Sequence, residues 1–119
     1  MKLFDCNASV GAGWVPPMRY AETAHDLLNE MDHYGMEEAL IYHARQRDDS
    51  PDVGNATLLS EIEGFKRLHG ELAILPPDTG ELGTAEDLIN EMRRKNVRAL
   101  RAFPAEHRYL MSRVALGDL

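Results

Sequence analysis

The sequence predicts an α/β fold built on a parallel sheet. Short apolar runs of strand type alternate along the chain with apolar residues at helical spacing, in the order β-α-β-α-β-α-β. The strands begin roughly every 25–35 residues, a spacing that leaves room for a crossover helix and two loops. Polar side chains gather near the end of the first strand, which is where parallel α/β folds place their sites.

The first strand alternates between an apolar and a polar face over the stretch from Lys2 to Gly11. Its apolar positions are Phe4, Cys6 and Ala8, and its polar positions are Asp5, Asn7 and Ser9. Buried polar groups need partners, since an unpaired one costs roughly 1–3 kcal/mol. The polar face is therefore expected to line a crevice or a barrel interior, while Cys6 is expected to pack beneath helices as a small hydrophobic residue.

Three helices are predicted by apolar stripes. These stripes are Ala24, Leu27, Leu28, Met31 and Tyr34, ended by Gly35; Leu58, Leu59, Ile62 and Phe65, ended by Gly70; and Leu88, Ile89 and Met92, closed by Asn96. Ser50 followed by Pro51 predicts the start of the second helix, and Thr84 with Asp87 predicts a capping box on the third. The charged segment 44–52 is predicted to be a connection outside the core.

Three further strands follow from short apolar runs. They are Ala39–Tyr42, closed by His43, then Leu72–Leu75, and then Val97–Phe103. In the last of them, Val97, Ala99, Arg101 and Phe103 are predicted to share one face. Residues 115–119 are predicted to begin another helix.

Composition excludes several classes of function. The chain has 119 residues, enough for one small domain, and a net charge of −7, which argues against a nucleic-acid or anionic-membrane surface. Its single cysteine excludes an internal disulfide and suits a reducing compartment. Neither a signal peptide nor a long apolar stretch is apparent, so a cytoplasmic location is predicted, with no membrane and no nucleic-acid partner.

Several of these segments together are similar to the amidohydrolase-related metal-dependent hydrolases. The similar segments are Leu3-Phe4-Asp5, the helix end from Met31 to Gly35, the strand Ala39–Tyr42, the strand end Leu75-Pro76-Pro77, and the strand Val97–Pro104. The resemblance runs through nearly the whole chain and implies a partial (β/α)8 TIM barrel, with about four parallel strands and three helices. It assigns residues 1–119 to the N-terminal half of that barrel, as a fragment or a truncated form.

The family's most specific motif is an Asp-x-His-x-His sequence on the first strand, whose histidines bind a divalent metal such as zinc. In this chain Asn7 and Ser9 stand at the positions of those histidines. Amide and hydroxyl oxygens are weak ligands for zinc. No metal-binding residue is therefore predicted, and the cofactor stays open.

The resemblance implies a hydrolase or decarboxylase that acts on a small carboxylate-bearing substrate. The isolated chain is expected to be inactive, because the family's remaining metal and acid–base residues lie on strands five, six and eight. The alternative is a non-catalytic half barrel that functions by self-association through its open edges or by assembling with a second chain. A complete flavodoxin-like sheet is disfavoured, because it would bury Asp5, Asn7 and Arg101 beneath helices.

Six residues are candidates for the site: His43 and Asp5 for catalysis, and Asn7, Ser9, Tyr42 and Arg101 for substrate binding. A neutral histidine at a strand end can shuttle protons near pH 7, although a hydrogen-bonded loop histidine is the alternative. Arg101 can bind two carboxylate oxygens at once, or it can pair with Asp5. The alternative role of Asp5 is that of a structural carboxylate bonded to backbone or to Arg101. The alternative for Asn7 and Ser9 is that they are polar residues of a wet barrel mouth without an assigned role.

Overall fold

A computed structural model describes residues 1–117 of the chain. Its strands are Phe4–Val10 (β1), Glu38–His43 (β2), Leu68–Ile74 (β3) and Ala99–Ala102 (β4). Its helices are Ala24–Tyr34 (α1), Ala44–Asp48 (α2), Pro51–Glu61 (α3), Ala85–Lys95 (α4) and Arg113–Leu116 (α5), with a 3-10 turn at Pro77–Thr79. The strands form one parallel sheet in the order β1-β2-β3-β4. The sheet curls into half of a TIM-like barrel, which confirms the predicted fold class.

The convex face of the sheet is covered by helices. Its first core joins residues of β1 and β2 to α1 and α3, and includes Val10, Ile41, Met31 and Leu58. A second core lies beneath α4 and consists of Leu72, Ile74, Leu88 and Val97. Val97 therefore lies on the helix side and not on the face of Arg101, because it precedes β4 and follows directly on the end of α4.

The opposite, concave face carries the alternate residues of each strand. Partners in a parallel register point to the same side, so the register assigns to it Phe4, Ser9, Glu38, Leu40, Tyr42, His69, Glu71, Ala73, Ala99 and Arg101. Phe4 at the lower end of this face is 54% exposed. The candidate substrate-binding residues belong to the upper half of this face, nearer the carboxyl ends of the strands.

Local signals set the end of α1, the start of α3 and both ends of α4 as predicted. Thr84 and Asp87 form a capping box on α4, and the αL residue Asn96 closes that helix. Gly35 ends α1 at a φ of 71°, and Ser50 with Pro51 begins α3. Two of the predicted stripe residues, Tyr34 and Ile89, are nevertheless exposed, since they lie at the margins of their helical stripes.

The predicted end of α3 at Gly70 is wrong. The helix ends at Glu61, and Gly64 turns the chain at a φ of 84°, so β3 begins as early as Leu68. Gly70 lies inside β3 and is buried against α3, where an added Cβ would lie 2.8 Å from Ile62 Cδ1. The glycine permits close packing of helix on strand, and it does not stop the helix.

The segment 44–52 is not a connection outside the core. It forms α2, and the side chain of Gln46 on that helix is completely buried. The Gln46 amide donates to Asn55 Oδ1 at 2.7 Å and to the carbonyl of Glu71 at 2.9 Å, and its oxygen accepts from the backbone N–H of His43 at 2.7 Å. These bonds provide partners for the buried amide of Gln46, whereas the charged composition of the segment predicted that its side chains face solvent.

A β-bulge interrupts the predicted alternation of β1. Asp5 pairs with Ala39 and Ala8 pairs with Ile41. Between these two pairs β1 has two residues where β2 has one, so β1 carries one extra residue. The bulge moves Asp5 to the helix side of the sheet, away from the face of Ser9. It also leaves Cys6 exposed, and the prediction that Cys6 packs beneath helices is therefore wrong.

The segment after β4 folds back over the end of the sheet. The hydroxyl of Tyr109 donates to the carbonyl of Ile74 at 3.3 Å, and α5 covers residues 113–116. Of the helix predicted to begin in residues 115–119, the last two residues lie outside the described part of the chain. Among the helices of residues 1–117, none has the length and hydrophobicity needed to cross a membrane.

Candidate functional site

Arg101 is the centre of the polar cluster on the concave face. Its Nε donates to Glu71 Oε1 on the neighbouring strand, and its Nη2 donates to Asn7 Oδ1 at 2.7 Å. The guanidinium carbon lies 4.3 Å from the centroid of the Tyr42 ring and 5.8 Å from that of Phe103. Two hydrogen bonds and an aromatic face thus hold the guanidinium in one orientation.

Glu71 supplies the countercharge and is the site residue that the sequence prediction missed. Only 4% of its side chain is exposed. It lies one position before the predicted third strand. Because the preceding helix was predicted to end at Gly70, Glu71 was assigned to the connection between helix and strand. Alternation on the strand was the available signal, because Glu71 and Ala73 share a face and the register pairs Ala73 with Arg101.

The predicted substrate-binding residues are brought together in part. Tyr42, Asn7 and Arg101 are in direct contact through the cation–π interaction and the amide hydrogen bond. Ser9 is the register partner of Tyr42 but is exposed, and its side chain makes no hydrogen bond with another residue of 1–117. It lies at the rim of the cluster.

Asp5 is not part of the cluster around Arg101. Its Oδ1 accepts from the backbone N–H of Asn7 at 2.9 Å and so stabilises the bulge. It lines a cleft of about 580 Å³ between β1 and α1, together with Arg19, Tyr20 and Tyr34. The backbone-bonded reading of Asp5 therefore describes its contacts, and the partner of Arg101 is Glu71.

His43 lies on the convex side of the sheet. It is buried, and its Nδ1 accepts from the backbone N–H of Arg45 at 3.1 Å as the N-cap of α2. Burial lowers the pKa of His43 below its ordinary value of 6.5, an effect that nearby Glu61 opposes and Arg45 reinforces. The ring packs against Gly11, where an added Cβ would lie 2.5 Å from Nε2. It is separated by the sheet from the guanidinium of Arg101.

His107 joins the aromatic side of the cluster from the segment after β4. Its ring packs edge-on against Phe103 at 5.8 Å between centroids, and Phe103 in turn contacts Tyr42 at 5.5 Å. Its Nε2 lies 3.1 Å from the carbonyl oxygen of Arg47, so that this nitrogen carries the proton. These contacts tie the segment after β4 to α2 at the upper end of the concave face.

The donor set does not fit a divalent metal. Asn7 Oδ1 already accepts from a guanidinium, and a second cation there would be repelled. Within residues 1–117, no group of three or more His, Cys, Asp or Glu side chains is arranged to hold a metal ion.

The arrangement is suited to holding an anion. The hydrogen bonds to Glu71 and Asn7 use two of the five guanidinium N–H groups, and Nη1 makes none with the described part of the chain. A carboxylate can accept from such groups through two oxygens at once. Comparison of the chain with models of protein families, with curated proteins and with solved structures found no match.

Proposed function

We propose that this domain is the N-terminal half of an amidohydrolase-like barrel that acts on a small carboxylate-bearing substrate. The observation that carries the proposal is the fixed guanidinium of Arg101, which stacks on Tyr42 and bonds Asn7 from the far edge of the sheet. The resemblance in sequence supplies the reaction class, hydrolysis or decarboxylation. The site supplies the chemistry of recognition, which is that of a carboxylate.

The role of Arg101 in this proposal is to bind and orient the substrate. Glu71 and Tyr42 restrict the guanidinium before a ligand arrives, so that little side-chain freedom is lost on binding. Asn7 and Ser9 line the approach to it and can bond polar groups beside the carboxylate. The proposed catalytic roles of His43 and Asp5 stay predictions, and carboxylate binding by Arg101 does not depend on either residue.

Carboxylate binding is tested by titrating the protein with malonate and following the backbone amide signals of Asn7 and Tyr42, which contact Arg101, by NMR. The variant Arg101→Lys keeps the positive charge beside Glu71 but loses the planar guanidinium, which can donate two hydrogen bonds to one carboxylate. A hydrogen bond to a charged group is worth about 1.5–3 kcal/mol, so we expect binding to weaken by about 10- to 100-fold. The control is Arg98→Lys, at an exposed arginine outside the cluster. Equal binding by the two variants would refute the proposal.

A second candidate function is assembly without catalysis. It is favoured by the absence of any helix over the concave face within residues 1–117, because parallel sheets are normally covered on both faces. The location proposed for either function is the cytoplasm, on the strength of the single cysteine. A stable oligomer that binds no malonate would favour assembly over the enzyme.

A further inference from the structure

The charged strand residues of the concave face are hydrogen-bonded to one another. Glu71 pairs with Arg101, and Glu38 Oε2 lies 2.7 Å from Nε2 of His69, which donates to the carboxylate. Burial of an isolated charge is costly, whereas a hydrogen-bonded charge can be covered at lower cost. Phe4, which stacks on His69, adds an exposed apolar surface to the same face. The face therefore suits a covering surface whose own polar groups are already bonded.

The two edges of the sheet also lack partners. Within residues 1–117, β1 pairs only with β2 and β4 pairs only with β3. The four strands run parallel and are half of the eight whose barrel is just filled by side chains. A two-fold rotation about the barrel axis would set β4 of each copy beside β1 of the other, parallel at both junctions. Such an assembly satisfies every edge and cannot grow further.

We propose that a second copy of this chain covers the concave face and closes an eight-stranded barrel. The surfaces beside the two edges support this choice of partner. Leu100, on β4, is exposed on the outer side of the sheet, and Ile89 is 47% exposed on α4, the helix that covers this end of the sheet. Exposed Tyr20 and Tyr34 line the cleft outside β1. The junction thus packs two aliphatic side chains of one copy against two tyrosines of the other.

The bulge in β1 limits where the new ladder can form. The backbone N–H of Asn7 is already bonded to Asp5, so pairing with a further strand falls on the regular part of β1, Ala8–Val10. Strand β4 has only four residues, Ala99–Ala102. The two segments have three and four residues, so the ladder at each junction is short.

The first experiment is sedimentation of the full chain at micromolar concentration. We expect a dimer, and we expect Ile89→Asp to weaken it at least tenfold while circular dichroism reports an unchanged fold. The matched control is Val53→Asp, at an exposed residue of α3 that is 42% exposed and remote from both edges. A folded monomer would overturn the proposal and leave the face to a different chain. A dimer that Val53→Asp weakens as much as Ile89→Asp does would overturn the geometry.

A cysteine cross-link tests which edges meet. Cys6 is the only cysteine and is exposed on β1. In the variant Ala99→Cys, closure brings β4 of one copy beside β1 of the other, so a short bismaleimide, which spans a longer distance than a disulfide, should produce a covalent dimer. The product should disappear when Cys6→Ser is added. Equal cross-linking by Ala56→Cys on α3 would contradict the proposed junction. None of these outcomes depends on carboxylate binding.

Discussion

The guanidinium of Arg101 reaches the side-chain amide of Asn7 at 2.7 Å, although the two residues lie 94 positions apart and on the two edge strands of the sheet. Strands β2 and β3 separate them, and neighbouring strands are about 4.8 Å apart. Only a sheet that curls toward its concave face brings these side chains together. The contact therefore reports the curvature of the half barrel and places the substrate-binding candidates inside it.

Removing only one member of the Glu71–Arg101 pair should destabilise the protein more than removing both. Arg101→Met leaves a buried carboxylate without its cation, and we expect a loss of about 3–5 kcal/mol in the free energy of unfolding. The double variant Glu71→Leu/Arg101→Met removes both charges and should recover most of this loss. Urea unfolding of the variants at one protein concentration measures the coupling.

The exposed pair of Glu91 and Arg94 on α4 provides the matched control, because the same double substitution there removes an ion pair in solvent. Its coupling should be much smaller. If Arg101→Met and Glu71→Leu were additive, the two side chains would not interact across β3 and β4, and the description of the cluster would be wrong.

Sequence reasoning succeeded where a structure depends on neighbouring residues. The capping box of Thr84 and Asp87, the αL stops at Gly35 and Asn96, and the strand–helix alternation are local, and each was predicted. The parallel curled sheet followed from that alternation together with the family resemblance. Such features are encoded within a few residues of where they appear.

The missed features depend on contacts between distant parts of the chain. Gln46 is buried because α3 and β3 supply partners for its amide, 9 and 25 residues away. The bulge at residues 6–7 exists because of how β1 registers with β2, and one extra residue moved Asp5 and Cys6 from their predicted environments. Of the six predicted site residues, Asn7, Tyr42 and Arg101 form the cluster. The positions of Tyr42 and Arg101 follow the alternation of β2 and β4, which the bulge in β1 does not interrupt.

The buried amide of Gln46 should be essential to stability. Gln46→Leu preserves the volume but leaves the backbone N–H of His43 and the carbonyl of Glu71 without their partner. Each buried orphan costs roughly 1–3 kcal/mol, so we expect a loss of about 2–4 kcal/mol in chemical denaturation. Arg45→Leu, on the exposed side of the same helix, should cost far less. Equal losses would mean that helix propensity, and not the buried network, determines the effect.

The stability of the protein should fall in mild acid because of His43. Its folded pKa is lowered by burial, so the unfolded chain binds a proton more readily than the folded one. The contribution of His43 is complete above the ordinary pKa of 6.5 and is lost as the pH falls through and below that value. Thermal unfolding between pH 7.5 and 5.5 should show this loss, and His43→Asn should reduce it while keeping a side-chain oxygen for the cap of α2.

Asp48 does not complicate the measurement, because the ordinary pKa of its carboxyl, 3.8, already lies below this window and hydrogen bonding to Arg47 lowers it further. The variant His33→Asn, at an exposed histidine of α1, is the control for removing an imidazole. An identical pH dependence in wild type and His43→Asn would exclude His43 as the source.

The packing of Gly11 against His43 can be separated from the backbone strain at that glycine. Gly11 has a φ of 88°, and an added Cβ would lie 2.4 Å from His43 Cε1. Gly35 has a similar φ of 71° but has no atom within 4 Å of the added Cβ. Gly35→Ala should therefore cost only the left-handed strain, about 1–2 kcal/mol, whereas Gly11→Ala should cost about 1–3 kcal/mol more through overpacking. Adding His43→Ala should recover part of the second loss and none of the first. If Gly11→Ala and Gly35→Ala were equally destabilising, the imidazole would yield freely, and His43 would not be fixed at the end of β2.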